Sequence, residues 1–379
     1  MFGIFMLRIL LLVLFSISFG LARADAPPMP PVAAKSWVLL DYQTGTAIAS
    51  ETPDTRTDPA SLTKLMTAYL VFDALGKGQL KLDQAVPVST KAWKAEGSRM
   101  FIEPLKPVTV NELIYGMIVQ SGNDATIALA EAVAGSEEIF AGVMNRQAQK
   151  LGMTNTNFVN STGLPDPKHY SSARDMAILA AALIRDFPDN YKVYSTREYR
   201  YNNITQPNRN RLLWLDPNVD GVKTGHTEAA GYCLVASAKR GERRLISVVL
   251  GTASDSARAR ESQKLLNYGF QFYDSVPVYR KAQTISTLKV WKGAEESLHA
   301  GVERDLFLTL PRGDAQRLKA ELVSQQPLVA PVAAGQKVGI VRLSLDGKPM
   351  GEYPVVANEE VPVAGFFGRV ADTVRLWFK

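Results

Sequence analysis

Three short strings in this chain carry the residue types that acyl transfer through a serine requires. They are Ser61-Leu-Thr-Lys64, Ser121-Gly-Asn123 and Lys223-Thr-Gly-His226, in that order. Together they supply a hydroxyl nucleophile, a nearby amine, a second hydroxyl, an amide and a second cation. The set predicts an enzyme, on the condition that the fold brings all three strings into one groove.

The first string predicts a nucleophile in the first turn of a helix. Asp58 suits the capping position and Pro59 the first helical position, so a helix over residues 61–75 is expected. A serine in that turn has a backbone N–H without an intrahelical partner and lies at the positive end of the helix dipole. Lys64 shares its face and can reach the hydroxyl. The string alone is weak evidence, because Ser286-Thr-Leu-Lys289 repeats it in a strand-like segment.

The second string is expected in a short link between two helices. Thr109 and Glu112 form a capping box for a helix that should end near Ser121. Ser121 and Asn123 would then project from the link before a helix that begins around Asp124. A simple interhelical turn with polar residues fits this string equally well when it is considered alone.

The third string is expected on an edge strand of a sheet. There Lys223 and Thr224 can bind a carboxylate, and Gly225 lets a substrate backbone come close. The backbone N–H of His226 would complete an oxyanion hole with that of Ser61. The imidazole of His226 is interpreted as a packing or orienting group, since Lys64 already supplies a base.

Other catalytic sites lack the necessary residues. The chain has no Gly-x-Ser-x-Gly elbow and no phosphate-binding glycine loop, and His169, His226 and His299 are far apart in sequence. This argues against a serine–histidine–aspartate hydrolase and a zinc peptidase, so neither a metal nor another cofactor is expected. The single cysteine, Cys233, is interpreted as a buried small hydrophobe.

Composition and charge fit an exported protein. Residues 1–24 carry an early arginine, an apolar run and Ala22-Arg-Ala24, which predicts a cleaved signal peptide. The formal charge of +6 falls to +4 without that segment, and such a mild excess does not indicate nucleic acid. The alternative for residues 1–24 is a retained membrane helix.

Patterning predicts two folded units. Residues 25–275 should form an α/β domain in which one mixed sheet is flanked by a helical cluster, and residues 276–364 a mostly β domain with one helix near 314–323. Residues 365–379 place aromatic and aliphatic side chains on one helical arc and basic ones on the other. That tail predicts an amphipathic helix lying in a membrane interface, the alternative being a helix docked on the β domain.

The strings and their surroundings resemble the active-site serine penicillin-recognising enzymes. The likeness extends over nearly the whole mature chain to the D-alanyl-D-alanine carboxypeptidases among the low-molecular-mass penicillin-binding proteins. It is carried further by Gly97-Ser98-Arg-Met-Phe101, Gln120-Ser-Gly-Asn-Asp-Ala125, Asn208-Arg-Asn210 with Leu212-Leu-Trp214, and Asp220-Gly-Val-Lys-Thr-Gly-His-Thr227. The resemblance implies a transpeptidase/β-lactamase-like catalytic domain, a C-terminal β domain and an amphipathic tail.

The resemblance also implies roles and partners. Ser61 would attack the penultimate D-Ala of a peptidoglycan stem peptide after Lys64 takes its proton, and Ser121 with Lys223 would pass a proton to the leaving amine. Asn123 would hold the substrate amide, and Thr224 with Arg209 the terminal carboxylate. β-Lactams would be covalent inhibitors. The expected location is the periplasmic face of the bacterial inner membrane.

Three other activities stay open at this point. They are a D,D-endopeptidase, a weak β-lactamase and a non-catalytic peptidoglycan-binding protein. The segment over residues 160–172 resembles the loop beside the groove of these enzymes, but it contains no glutamate, and its carboxylate, Asp166, lies between two prolines. This argues against efficient β-lactamase activity.

Overall fold

The computed structural model describes residues 26–377. The predicted signal peptide, and Phe378 and Lys379 of the predicted tail helix, lie outside the described residues. In the first domain the strands are β1 Ser36–Asp41, β2 Ala47–Glu51, β3 Ala85–Val86, β4 Val108–Thr109, β5 Glu198–Tyr201, β6 Ile204–Pro207, β7 Val219–Thr227, β8 Gly231–Arg240 and β9 Arg243–Thr252. The helices of this domain are α1 Lys64–Gly76, α2 Thr90–Trp93, α3 Val110–Ile118, α4 Asn123–Ala134, α5 Glu137–Leu151, α6 Ala173–Asp186, α7 Pro188–Tyr191, α8 Leu212–Leu215 and α9 Asp255–Phe272, with short 3₁₀ turns at Ala60–Thr63 and Lys192–Ser195.

The central sheet has the strand order β2-β1-β9-β8-β7, and every neighbouring pair is antiparallel. The expectation of a mixed sheet is therefore wrong. Tight hairpins join β1 to β2, β7 to β8 and β8 to β9, and a hairpin permits only antiparallel pairing. Strand β1 connects its hairpin to strands β7, β8 and β9 by pairing antiparallel with β9, where Trp37 lies opposite Val249.

Both faces of this sheet are covered by helices. Val38 and Leu40 of β1 face a large core shared with α1, α3, α4 and α6, whereas Trp37 and Leu39 face a second core with α9. This alternation follows from the two-residue period of a strand. Helix α1 is apolar on nearly all sides because it lies within the helical cluster, where most of its residues are buried. The sheet and this helix thus form a rigid frame for the strings that α1 and β7 carry.

The second domain is mostly β. Its elements are β10 Tyr273–Tyr279, β11 Ser286–Trp291, β12 Ser297–Gly301, β13 Leu306–Pro311, a 3₁₀ turn at Asp314–Arg317, β14 Leu318–Ser324, β15 Leu328–Val329, β16 Lys337–Leu345 and β17 Lys348–Ala357. The helix expected near 314–323 is wrong beyond its first turn. Leu318 and Leu322 are spaced as in a helix, but with Ala320 they also fit a strand, and β14 pairs along its length with β16.

The last element in the described part of the chain is helix α10, Phe366–Trp377. Asp372 Oδ2 accepts a hydrogen bond of 2.7 Å from the backbone N–H of Lys292, which attaches the polar side of α10 to the β domain. The aromatic side chains lie elsewhere, since Phe367 is 87% and Trp377 84% exposed. Within residues 26–377, no helix is long and apolar enough to cross a membrane.

Candidate active site

Ser61 lies in a 3₁₀ turn, Ala60–Thr63, immediately before α1. The sequence predicted that Ser61 lies in the first turn of an α-helix, whereas the structure places it in a more tightly wound 3₁₀ turn before the helix. Asp58 Oδ1 accepts a hydrogen bond of 2.7 Å from the N–H of Ala60, and Ala60 has a positive φ of 46°. The backbone of Gly163 approaches so closely that a Cβ there would lie 1.8 Å from the carbonyl oxygen of Ala60. Only glycine fits at that position, which holds the turn in place.

The amine of Lys64 is buried directly beneath Ser61. Its side chain is 1% exposed, and Nζ lies 3.0 Å from Ser61 Oγ. Two further contacts, each of 2.7 Å, join Nζ to Asn123 Oδ1 and to the backbone carbonyl of Thr162. A neutral amine has two hydrogens and one lone pair, and both of these oxygens can only accept. When Lys64 is neutral, the two carbonyls take its hydrogens and the lone pair faces the serine hydroxyl.

Burial lowers the pKa of Lys64 from 10.5 to about 7, and the positive charge of Arg209 adds to the effect. Lys223 is itself buried, and burial together with the charge of Lys64 lowers its own pKa well below the usual range. The neutral form of Lys64 is therefore available near pH 7.

Ser121 and Lys223 meet on the opposite side of the groove. Lys223 Nζ donates to Ser121 Oγ at 2.9 Å and to the carbonyl of Thr224 at 3.1 Å. Both residues are 3% exposed. Ser121 has a positive φ of 66°, a strained conformation that aims its side chain from the link between α3 and α4. The hydroxyl and the amine form a pair that can pass a proton.

Asn123 is oriented from two sides. Its Oδ1 faces Lys64, and its Nδ2 donates to the carbonyl of Glu96 at 2.6 Å. The next residue, Asp124, accepts hydrogen bonds from the backbone N–H groups of Met100, Phe101 and Ile102, which fixes the loop at the groove rim. The sequence analysis placed Asp124 only at a helix start, and its role in the loop was missed.

The backbone of β7 presents its polar groups to the groove at His226. Arg258 of α9 donates to the carbonyl of Gly225 at 3.0 Å and also contacts the carbonyl of Cys233 on β8, so the Gly225 carbonyl points toward β8. In a trans peptide the next N–H points the opposite way. The N–H of His226 therefore faces the outer edge of β7, as an oxyanion donor must.

The groove opens into a cavity of about 1000 Å³. Ser61, Ser121, Thr224, His226 and Arg209 line it. Arg209 is held from both sides, because the Asn208 side chain bonds to the carbonyl of Thr196 and the Asn210 side chain to that of Gly221. All nine candidate residues thus border one groove or lie directly beneath it.

Comparison with known proteins identifies the family of this chain. The family model described as D-alanyl-D-alanine carboxypeptidase matches residues 22–254, and that of the penicillin-binding protein 5 C-terminal domain matches residues 273–363. The chain belongs to the D-alanyl-D-alanine carboxypeptidase family. The predicted family, fold class and enzyme class, a serine-type D-Ala-D-Ala carboxypeptidase, are thereby confirmed.

Individual relatives support the same family assignment. The chain is 46% identical over 357 residues to D-alanyl-D-alanine carboxypeptidase DacC of Escherichia coli, covering 92% of this chain and 89% of that protein. The crystal structure of penicillin binding protein 5 from Haemophilus influenzae superposes with a TM-score of 0.85 at 43% identity, covering 88% of this chain and 98% of the other. Penicillin-binding protein D2 from Listeria monocytogenes, solved in the ampicillin-bound form, gives a TM-score of 0.60 at 30% identity over 64% of this chain and all of that one.

The lowered pKa of Lys64 predicts how acylation depends on pH in this carboxypeptidase. If Lys64 acts as the base, its neutral form is the active one, so the rate constant should rise with pH through about 7 and then level off. The measurement is the rate of labelling by a fluorescent penicillin between pH 5 and 9. A rate that stays constant across that range would contradict a base with this pKa.

Proposed function

We propose that this enzyme removes the terminal D-Ala of a peptidoglycan stem peptide through an acyl-enzyme on Ser61. Lys64 takes the hydroxyl proton as Oγ attacks the penultimate carbonyl carbon. The oxyanion then forms between the N–H groups of Ser61 and His226. The supporting observation is the Lys64 amine, whose two hydrogens face Asn123 and Thr162 while Ser61 Oγ lies 3.0 Å away.

The leaving amine needs a proton before the C–N bond breaks. Ser121 Oγ supplies it, and Lys223, 2.9 Å from that oxygen, replaces it. Free D-Ala departs, and Lys64 passes the proton it took from Ser61 to Lys223, which had given up its own. Water then attacks the ester while the neutral Lys64 takes one of its protons, and Lys64 returns this proton to Ser61 Oγ as the ester bond breaks. The substrate loses one peptide bond, gains one water molecule and leaves the enzyme in its starting protonation state.

Substrate is held at its end and along its backbone. Arg209 and the Thr224 hydroxyl bind the terminal carboxylate, for which a guanidinium fork is suited. The Asn123 side chain binds an amide group of the substrate backbone. Gly225 lets the turn that carries Ser61 pack closely on β7, since a Cβ there would lie 3.0 Å from the carbonyl oxygen of Pro59.

The same geometry supports β-lactams as covalent inhibitors rather than good substrates. Asp166 is exposed, and its carboxylate accepts the N–H of Lys168 in its own turn. Asp166 is engaged in that turn, so it does not supply a carboxylate base for hydrolysis of the penicilloyl ester. The test is incubation of the purified chain with labelled penicillin and with a diacetyl-Lys-D-Ala-D-Ala peptide. A peptidoglycan-binding protein without turnover would release no D-Ala.

We also propose an exported enzyme held at the periplasmic face of the inner membrane by α10. Phe366 and Phe367 are 67% and 87% exposed, and Val370, Val374 and Trp377 are exposed as well. Arg369 and Arg375 flank them, so an apolar side with basic neighbours is open to an anionic lipid interface.

Deletion of residues 365–379 should release the protein from membranes. The deletion removes the exposed apolar side of α10 and leaves the groove untouched. Sedimentation with anionic liposomes should show at least a tenfold loss of bound protein, while D-Ala release from soluble peptide stays at the full-length rate. A shortened chain that still pellets with the liposomes would place the anchor elsewhere.

A further inference from the structure

The mechanism above makes no use of His169, a buried imidazole close to the nucleophile. The residue is 3% exposed, and its ring packs against that of Phe158 with a centroid distance of 5.7 Å. Sequence analysis gave it no catalytic role. In the structure it lies between two segments that both contact Lys64.

Both ring nitrogens of His169 are engaged. The backbone N–H of Val159 donates to Nδ1 at 3.1 Å, and Nε2 lies 2.8 Å from Thr63 Oγ1. Because Nδ1 accepts, the proton of the neutral ring is on Nε2, which donates to the threonine hydroxyl. The two contacts together select one tautomer.

These contacts connect the residue before Lys64 to the segment that accepts a hydrogen bond from its amine. Thr63 directly precedes Lys64, and Val159 begins the segment 159–163, whose Thr162 carbonyl accepts from Lys64 Nζ at 2.7 Å. His169 joins the two segments through these contacts. This link therefore helps to set the position of the Thr162 carbonyl relative to Lys64, beside the hydrogen bond of 2.7 Å that Thr67 of α1 donates to the Ser161 carbonyl.

The rest of segment 159–163 is anchored independently. Glu137 accepts hydrogen bonds from both the N–H and the hydroxyl of Ser161. Asn160 Oδ1 accepts from the N–H groups of Thr162 and Gly163. These bonds shape the segment and tie it to α5, whereas His169 ties it to the turn that carries Ser61.

We infer that His169 is a positioning residue for acylation: its Nε2–H tautomer holds the Thr162 carbonyl where it takes one hydrogen of neutral Lys64, so that the lone pair faces Ser61. The inference rests on the proposed role of Lys64 as base. A displaced carbonyl lets the amine rotate, and productive orientations become rarer without any change in the substrate cleft.

The ring keeps this form over the working pH range. Burial lowers the pKa of His169 to about 4, with Asp58 and Asp166 opposing the effect and Lys64 adding to it. The imidazole is thus neutral from pH 5 to 9. The link therefore stays intact while Lys64 titrates.

The test uses His169→Gln and His169→Asn in the full chain. Glutamine can place an amide N–H near the Nε2 position, and asparagine an acceptor near Nδ1, so each variant breaks one end of the link. Labelling with fluorescent penicillin gives the fraction acylated, the acylation rate constant and the dissociation constant of the complex before acylation. We expect complete labelling, a rate constant at least tenfold lower and an unchanged dissociation constant.

The matched control is His299→Gln. His299 lies on β12 of the second domain, with 58% of its side chain exposed, and this variant should acylate at the wild-type rate. Thr63→Val cuts the same link from its other end with little change in volume, and it should also acylate slowly.

Two results would overturn the inference. One is a wild-type rate constant in the His169 variants or in Thr63→Val. The other is a smaller labelled fraction that reacts at the wild-type rate, which would mean that His169 only stabilises the fold. Failure of the proposed function looks different, because wild type itself would then not be labelled at Ser61.

Discussion

Replacing Ser61 by alanine is expected to lower D-Ala release by about 10⁴–10⁶-fold, the range seen when a nucleophile that acts as part of a unit is removed. Ser61 carries the hydroxyl of the turn that lines the groove, whereas the Thr63 hydroxyl is buried against His169. The fold should persist, because the change removes one oxygen atom from a half-buried side chain at the groove. The measurement is D-Ala release from a stem-peptide analogue, together with labelling by fluorescent penicillin.

The control for this variant is Ser286→Ala, in the second Ser-x-x-Lys string. Ser286 lies on β11, and Lys289 Nζ lies 4.0 Å from the centroid of the Trp291 ring. That lysine has a cation–π contact and no part in the groove, so full activity is expected. Release by Ser61→Ala at a rate near wild type would mean that another residue is the nucleophile.

Lys64→Met should lower the acylation rate constant by about 10²–10⁴-fold, the usual contribution of a general base. Methionine fills a similar volume but cannot accept the hydroxyl proton. It also leaves Asn123 Oδ1 and the Thr162 carbonyl without a donor, at about 1–3 kcal/mol for each buried group. The melting temperature should fall, so the rate is measured well below it by labelling with fluorescent penicillin.

Lys289→Met serves as the control for the base, since it removes an amine from the other Ser-x-x-Lys string. It should acylate like the wild type. If Lys64→Met kept the wild-type rate and pH profile, the proton would be leaving Ser61 by another path, and the orientation of the amine by Asn123 and Thr162 would lose its significance.

The sequence could predict those parts of the site that depend on local spacing. Ser61 and Lys64 are one turn apart, and Asp58 with Pro59 predicted that a helical turn begins there. The edge-strand position of Lys223-Thr-Gly-His226 followed from its neighbours. The meeting of the three strings could not be derived from spacing, and that expectation came from the resemblance.

Other features of the site and the fold could not be predicted from the sequence because they arise from tertiary contacts. The acceptor opposite Lys64 is the backbone carbonyl of Thr162, 98 residues away, and any residue type has such a group. Arg258 acts on β7 from α9, and nothing in its local sequence indicates this. Segment 314–323 was misread because its apolar residues fit two periods, and pairing with β16 decided between them.

The free outer edge of β7 has a further consequence. An unpaired strand edge is a template for association with other sheets, and proteins shield such edges. Here the turn Ala60–Thr63 stands against β7, so that the edge lies at the bottom of a recess. A single extended chain end can enter and add itself as a strand, whereas the edge of another folded sheet is too thick. This shielding by the turn lowers the tendency of the β7 edge to pair with the sheets of other molecules.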